Sequence, residues 1–189
     1  MIPIRPRSGK LPLPAATSGV RRAVKGEAVE LKGQPLSVPE AGGRKLWVLD
    51  SLITFKLTGE ETGGKMTLIE TVAEPDTGPP PHIHEREDET FYILEGEFEF
   101  LTGEKKIKAP AGSTVYAPRN LIHTYRNVSD KTGRFLTFIT PSGLEEFFEE
   151  AGEAAGDPTS PPPVTPEKIE HLLSVAPKHG LTIPPPGEA

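Results

Sequence analysis

The chain has 189 residues, no cysteine and a formal net charge of −6, from 27 acidic and 21 basic residues. This length suits one domain with extensions. The spread of acidic charge argues against a nucleic-acid partner. The lack of cysteine excludes disulfides, thiolate zinc sites and a cysteine nucleophile, so any metal ion must be held by nitrogen and oxygen atoms. The sequence has neither a signal-peptide-like apolar run nor the roughly 20 apolar residues that span a bilayer, so we expect a soluble, cytoplasmic protein with no membrane partner.

Two features of the composition bear on the source of the protein. It has 22 prolines and only five residues in total of Asn, Gln, Cys and Met. Proline-rich loops and scarce thermolabile residues suit a thermophile. A codon-biased mesophilic genome would give a similar composition, so both origins stay open.

The predicted elements fall into an arm followed by a series of strands. Residues 1–44 carry scattered proline and glycine, which predicts an extended N-terminal arm. From residue 45 to 141, short segments rich in β-branched and aromatic residues alternate with Gly, Pro, Asn or Asp turn signals about every 8 to 12 residues. We therefore predict an all-β domain at residues 45–141, built as a sandwich or small barrel.

Helical patterns appear only in the last part of the chain, residues 142–189. Ser142 and Glu145 have the spacing of a capping box, which predicts a short helix in SGLEEFFEEAG. After a proline-rich linker, Pro166 at a first helical position and Gly180 beyond the last turn bracket a second helix. We expect this region to form short C-terminal helices and a proline-rich tail.

The stretch PPPHIHEREDETFYILEGE contains the residues with the strongest chemical signal. In a strand, His82 and His84 would point to the same face about 6.6 Å apart, close enough for both imidazoles to bind one ion. Ile83 would then face the opposite side. Glu89 begins the following strand and could return to the same ion, and His123, at the start of a later strand, is a third imidazole within reach in a barrel.

These residues resemble the two sequence motifs of the cupin superfamily. In the first motif a His-x-His pair is followed by a glutamate after three or four residues and by a glycine after six more; His82, His84, Glu89 and Gly96 fit it. Gly78 departs from it, with three residues before His82 where five are usual. The second motif is represented, at looser spacing, by Pro110, Gly112, Pro118, His123 and Asn127.

The resemblance implies a jelly-roll β-barrel of six to eight strands with a metal ion inside. Carried over residue by residue, the metal ligands are His82, His84, Glu89 and His123. One divalent transition metal ion is implied, and this ligand set admits Fe, Mn, Ni, Co, Cu or Zn.

Among cupins, the chain most resembles single-domain bacterial quercetinases, which implies a flavonol 2,4-dioxygenase acting on a substrate such as quercetin. In that reaction the 3-hydroxyl is deprotonated, dioxygen adds across the ring and carbon monoxide leaves. Glu89 would be both ligand and proton acceptor, and Tyr125, on the strand face of His123, would contact the substrate. By analogy we expect a homodimer. Two alternatives stay open: a cupin that binds a small ligand without turnover, and a metal-dependent isomerase or decarboxylase.

The remaining charged and aromatic residues near the motifs are expected to have structural roles. Glu85, Glu87 and Asp88 are predicted to be surface charges at the barrel mouth, and neither His171 nor His179 is expected to bind the metal. Five aromatic residues that alternate with polar neighbours are predicted to form the core or the pocket wall: Phe91, Phe98, Phe100, Tyr116 and Tyr125.

Overall fold

The computed structural model describes residues 35–185 of the chain. Most of the predicted N-terminal arm, residues 1–34, lies outside the described residues, and the predicted division at residues 44 and 141 stays a prediction. The strands are β1 Arg44–Val48, β2 Ser51–Leu57, β3 Thr67–Ala73, β4 Ile83–His84, β5 Asp88–Glu95, β6 Glu97–Thr102, β7 Lys105–Pro110, β8 Thr114–Ala117, β9 His123–Asn127, β10 Gly133–Thr140, β11 Glu153–Ala154 and β12 Leu181–Thr182. The helices are α1 Gly59–Thr62, α2 Glu145–Ala151, α3 Pro166–Val175 and a 3-10 helix Ala176–His179.

The strands form antiparallel sheets, so the prediction of an all-β domain is confirmed. A seven-stranded sheet has the order β11-β1-β2-β3-β10-β5-β8, and a three-stranded sheet has the order β7-β6-β9. A third sheet joins only β12 and β4. Within residues 35–185, no helix combines the length and apolar character needed to cross a bilayer.

Alternating side chains on the strands build the core between the sheets. Every second residue of β3 and β10 is buried, as expected for strands with one face turned inward. Phe98 and Phe135 meet edge to face, with ring centroids 5.0 Å apart. Of the aromatic residues predicted to be core or pocket wall, Tyr116 is the exception, with 55% of its surface exposed. In β8 its neighbours Val115 and Ala117 face inward, and the alternation of the strand turns Tyr116 outward.

The C-terminal elements cover one end of the sheets with apolar side chains. We call residues 144–183 the C-terminal cover; it contains α2, β11, α3, the 3-10 helix and β12. Its buried residues join a single core cluster with residues of β1, β2, β3 and β10. The cluster residues of the cover are Leu144, Phe147, Leu172, Val175, Ala176 and Leu181. Burial of this apolar face, more than the intrinsic propensity of such short segments, stabilises these helices.

The ends of the two longer helices differ in how well the sequence predicted them. α3 begins at Pro166 as predicted, with the Thr165 side chain accepting a hydrogen bond from the Lys168 backbone. The predicted capping box at α2 is wrong, because Leu144 is the N-cap residue and Glu145 is already helical. The Glu145 carboxylate instead accepts hydrogen bonds from the backbone N–H groups of Gly59 and Gly143 and from the Thr67 hydroxyl.

Candidate metal centre

Backbone pairing brings together residues that are far apart in the sequence. His82 and His123 face each other across an antiparallel bridge, in which each backbone N–H donates to the carbonyl of the other at 3.0 and 2.9 Å. His84 follows two residues later in β4, on the same face as His82. Glu89 lies in β5, between β8 and β10, where it pairs with Ala117.

The four predicted ligands form a compact group, which we call the His–Glu cluster (His82, His84, Glu89 and His123). One ligand atom from each lies within 4.8 Å of all the others. Ligands of one ion at about 2.0–2.2 Å lie about 3.4 Å apart in a tetrahedral site and at most about 4.4 Å apart, so the four side chains would move closer together to enclose an ion. Glu89 Oε2 lies 2.9 Å from His123 Nε2 and 3.4 Å from His84 Nε2.

The ring nitrogens that point away from the centre fix two of the imidazoles. Nδ1 of His82 lies 2.9 Å from the Pro80 carbonyl oxygen, and Nδ1 of His123 lies 3.0 Å from the Leu121 carbonyl oxygen. Because a carbonyl oxygen can only accept a hydrogen bond, each Nδ1 must donate. The Nε2 atoms are therefore free to present lone pairs to the centre, which is the arrangement that metal-binding histidines use.

This arrangement requires a positive charge at the centre of the cluster. With its Nδ1 proton directed to a carbonyl, neutral His123 would place an Nε2 lone pair 2.9 Å from a carboxylate oxygen of Glu89. Two acceptors at that distance repel each other unless a proton or a cation lies between them. A divalent cation meets the requirement of all four side chains at once, so the donor set fits a metal ion.

The electrostatics of the cluster keep its carboxylate ionised. Burial works against the charge of Glu89, but the adjacent imidazoles of His84 and His123 hold its pKa at about 2. Burial, together with the nearby His123 and His84, lowers the pKa of His82 to about 3. At neutral pH the cluster therefore offers an ionised oxygen ligand and an imidazole that prefers to be neutral, both of which metal binding needs.

The acidic residues around the cluster differ in burial and in their partners. Glu85 is exposed, as predicted for all three acids. Asp88 is partly buried and pairs with Arg119, whose guanidinium donates to both of its carboxylate oxygens at 3.1 and 2.9 Å. For Glu87 the prediction of a surface position is wrong: only 4% of its surface is exposed, and its Oε2 lies 3.8 Å from His84 Nδ1.

The other two histidines of the C-terminal region lie outside the cluster. His171 Nε2 is 2.8 Å from the Glu150 carbonyl oxygen, and His179 Nε2 is 2.9 Å from a Glu150 carboxylate oxygen. Neither shares a candidate metal site in the part of the chain that the structure describes. That neither histidine is a ligand stays a prediction.

The cluster faces an apolar cavity of about 110 Å³. The lining residues include Ile69, Phe91, Phe135, Phe147, Leu172 and Leu181. Within the described residues, no lysine or arginine lines it. Tyr125 also lines the cavity, and since burial raises the pKa of its hydroxyl, that group stays protonated and can donate a hydrogen bond.

Part of the cavity wall was not foreseen from the sequence. The C-terminal cover contributes Phe147, Leu172, Leu181 and Ile183 to the lining. The sequence predicted helices here but did not show where they would dock, because an apolar helix face indicates burial without naming its partner.

The sheets and the cluster together define a class: an antiparallel β protein with a candidate metal centre of three histidines and one glutamate. Residues 69–139 match the family model of the cupin domain. All four residues of the His–Glu cluster fall inside this range. Residues 69–139 are therefore a cupin domain, and the resemblance seen in the motifs is confirmed.

Curated relatives include two enzymes with the same name. Over 119 residues the chain is 27% identical to "Quercetin 2,3-dioxygenase" of Bacillus subtilis, covering 63% of this chain and 35% of that protein. Over 127 residues it is 31% identical to "Quercetin 2,3-dioxygenase" of Aspergillus japonicus, covering 63% of this chain and 36% of that protein. The chain thus spans about a third of the length of these relatives.

A solved structure supports the fold. A protein from Thermotoga maritima, described as a predicted oxalate decarboxylase, matches 56% of this chain and 99% of its own with a TM-score of 0.53 at 21% identity. At this identity the match bears on the fold alone. Together with the cupin domain match and the antiparallel sheets, it confirms the jelly-roll prediction.

Proposed function

We propose that the chain is a metal-dependent dioxygenase that cleaves the ring of a flavonol such as quercetin and releases carbon monoxide. The observation that carries the proposal is the position of the His–Glu cluster at the wall of an apolar cavity without basic residues in its described lining. Such a cavity suits a flat aromatic substrate better than a sugar acid or a phosphate, which would need lysine or arginine. Two relatives named "Quercetin 2,3-dioxygenase" support the same substrate class.

The residues of the cluster would divide the work between binding and proton transfer. His82, His84, Glu89 and His123 would hold one divalent ion, whose identity the ligand set leaves open. When bound, the ion would supply Lewis acidity that lowers the pKa of the substrate's hydroxyl. Glu89 is ionised at neutral pH, so its carboxylate could accept the 3-hydroxyl proton. Tyr125 could donate a hydrogen bond to an oxygen of the substrate from the same cavity.

The size of the cavity sets a condition on this proposal. Pockets for drug-sized ligands usually start at about 300 Å³, whereas the cavity measures about 110 Å³. A three-ring flavonol would therefore need part of the apolar wall to move outward. We expect the helical side of the C-terminal cover to move, since Phe147 of α2 and Leu172 of α3 line the cavity and lie outside the sheets.

The small volume of the cavity favours a second candidate, a cupin that takes a smaller ligand, with or without turnover. A ligand of few atoms would fit the closed cavity without rearrangement. This candidate predicts metal binding without a response to flavonols, so the two can be separated by experiment.

The test is anaerobic addition of quercetin to the metal-loaded protein, followed by admission of oxygen. The proposal expects the flavonol absorption to shift to that of the deprotonated form before oxygen is admitted. Oxygen should then be consumed with release of one carbon monoxide per flavonol. Glu89→Gln should lose both responses, while Glu85→Gln, a change at an exposed neighbour, should keep them. A fully metallated protein that causes no absorption shift would exclude the flavonol and leave the second candidate.

A further inference from the structure

Two buried polar atoms near the cluster face each other without a hydrogen-bond partner. They are Nδ1 of His84 and Oε2 of Glu87. The two atoms lie 3.8 Å apart, and 3% and 4% of the respective side chains are exposed. An unpartnered carboxylate or imidazole nitrogen in a dry interior is costly, so a pair of such atoms aimed at each other calls for an explanation.

In the other two histidines of the cluster, the outer ring nitrogen has a hydrogen-bond acceptor. Nδ1 of His82 and Nδ1 of His123 each have a backbone carbonyl as acceptor, at 2.9 and 3.0 Å. His84 is the only member of the three whose outer nitrogen faces a carboxylate among the described residues. Closing the gap to Glu87 by less than about 1 Å would give a charge-assisted hydrogen bond and satisfy both atoms.

The local chain conformation holds Glu87 in this buried place. Glu87 lies in the short connection between β4 and β5, which fixes it three residues after His84. The loop before α2 lies against it at Gly143, whose φ of +137° is a conformation that favours glycine. A Cβ added there would lie 3.7 Å from Glu87 Oε1. The carboxylate therefore has this loop close by on one side and is directed at His84 on the other.

We propose that Glu87 is a positioning residue for the metal centre, which accepts the Nδ1 proton of His84 and so directs the Nε2 lone pair to the metal ion. A carboxylate partner fixes the tautomer and ring orientation of a ligating histidine and increases its basicity. The proposal rests on the metal centre of the proposed function, and it is independent of the flavonol.

Metal titration of a matched set of variants tests this role. The probe is Co²⁺ added to the metal-free protein, with the dissociation constant measured by calorimetry and the d–d absorption recorded. Glu87→Ala should weaken Co²⁺ binding about 10- to 100-fold, the usual effect of removing such a partner. Glu87→Gln keeps the shape and one acceptor oxygen, and should fall between the wild type and Glu87→Ala. Glu85→Gln, which removes an exposed carboxylate two residues away, should bind Co²⁺ as the wild type does.

A second readout separates positioning from a general structural effect. In the Zn²⁺-loaded protein, nitrogen NMR of the imidazoles should show His84 with its proton on Nδ1 in the wild type and Glu87→Gln. In Glu87→Ala zinc at Nε2 still keeps the proton on Nδ1, but without the carboxylate acceptor its resonance should shift and exchange faster with water, while the signals of His82 and His123 stay. Equal Co²⁺ affinity in all four proteins, or weakened binding with an unchanged His84 signal, would overturn the proposal.

The outcomes also distinguish this proposal from the proposed function. If the wild type binds neither Co²⁺ nor Zn²⁺, the metal centre fails and the role of Glu87 fails with it. If the wild type binds metal but does not respond to flavonol, the dioxygenase is excluded and the affinities of the Glu87 variants still decide the role of Glu87.

Discussion

Removing the imidazole of His84 is expected to abolish the stabilisation that a divalent metal ion gives to the folded protein. A ligand present at 100 times its dissociation constant stabilises the folded state by about 2.7 kcal/mol. For a chain of 189 residues, each kcal/mol raises the melting temperature by about 2–4 °C, so saturating metal should raise that of the wild type by about 5–11 °C. If His84→Ala weakens binding at least 100-fold, the same metal concentration gives at most about 0.4 kcal/mol, or about 1–2 °C.

The assay is thermal unfolding of the metal-free protein with and without added metal, compared within each variant. Comparing the metal-induced shift, and not the absolute melting temperature, removes the cost of truncating a side chain that is 2% exposed. His171→Ala is the matched control, since it removes an exposed histidine outside the cluster. If metal raises the melting temperature of His84→Ala as much as that of the wild type, the ligand assignment is refuted. If the rise is lost in His171→Ala, the assay does not report on the cluster.

Three further predictions concern stability and the cavity. Asn127→Ala should lower the free energy of unfolding, measured in urea, by about 2–4 kcal/mol. The reason is that the fully buried amide donates to two backbone carbonyls and accepts from Ser129. A loss below about 1 kcal/mol would contradict this. Hydrogen bonds lower the pKa of Glu145 from 4.5 although burial opposes them, so its ionised form stabilises the fold above that pH. The advantage of the wild type over Glu145→Gln in the free energy of unfolding should therefore shrink as the pH falls below 4.5, and a pH-independent difference would contradict it. Leu181→Ala should lower stability by about 2–5 kcal/mol but enlarge the cavity and tighten flavonol binding, and weaker binding by the folded variant would argue against Leu181 as a cavity wall.

The strands and the pairing of His82 with His84 were predictable because both depend on short-range patterns. Alternation of apolar and polar residues has a period of two, which directly marks a strand with one buried face. His82 and His84 share a face by the same rule, and the structure places them together. The resemblance to the cupin motifs added Glu89 and His123, whose distance in the sequence hides the backbone bridge that joins His123 to His82.

The position of Glu87 could not be predicted, because nothing local separates it from the neighbouring acids. Glu85, Glu87 and Asp88 stand within four residues of each other, and carboxylates are usually exposed. The burial and the partners of these acids depend on distant parts of the chain. Arg119 pairs with Asp88, and the loop at Gly143 lies against Glu87. Burial of a carboxylate is thus a tertiary property, and a buried one beside a ligating histidine is informative because it is unusual.

The C-terminal cover connects the shape of the cavity to the metal centre through the backbone of His84. β12 pairs with β4 in a register that places Leu181 opposite His84, and the Glu85 N–H donates to the Gly180 carbonyl at 2.9 Å. One strand therefore supplies a wall of the cavity and also holds the backbone of a candidate ligand. Moving β12 away would disturb His84, whereas outward movement of Phe147 and Leu172 would not break this pairing. The strand pairing thus allows the cavity to widen on the helical side of the cover while the cluster keeps its geometry.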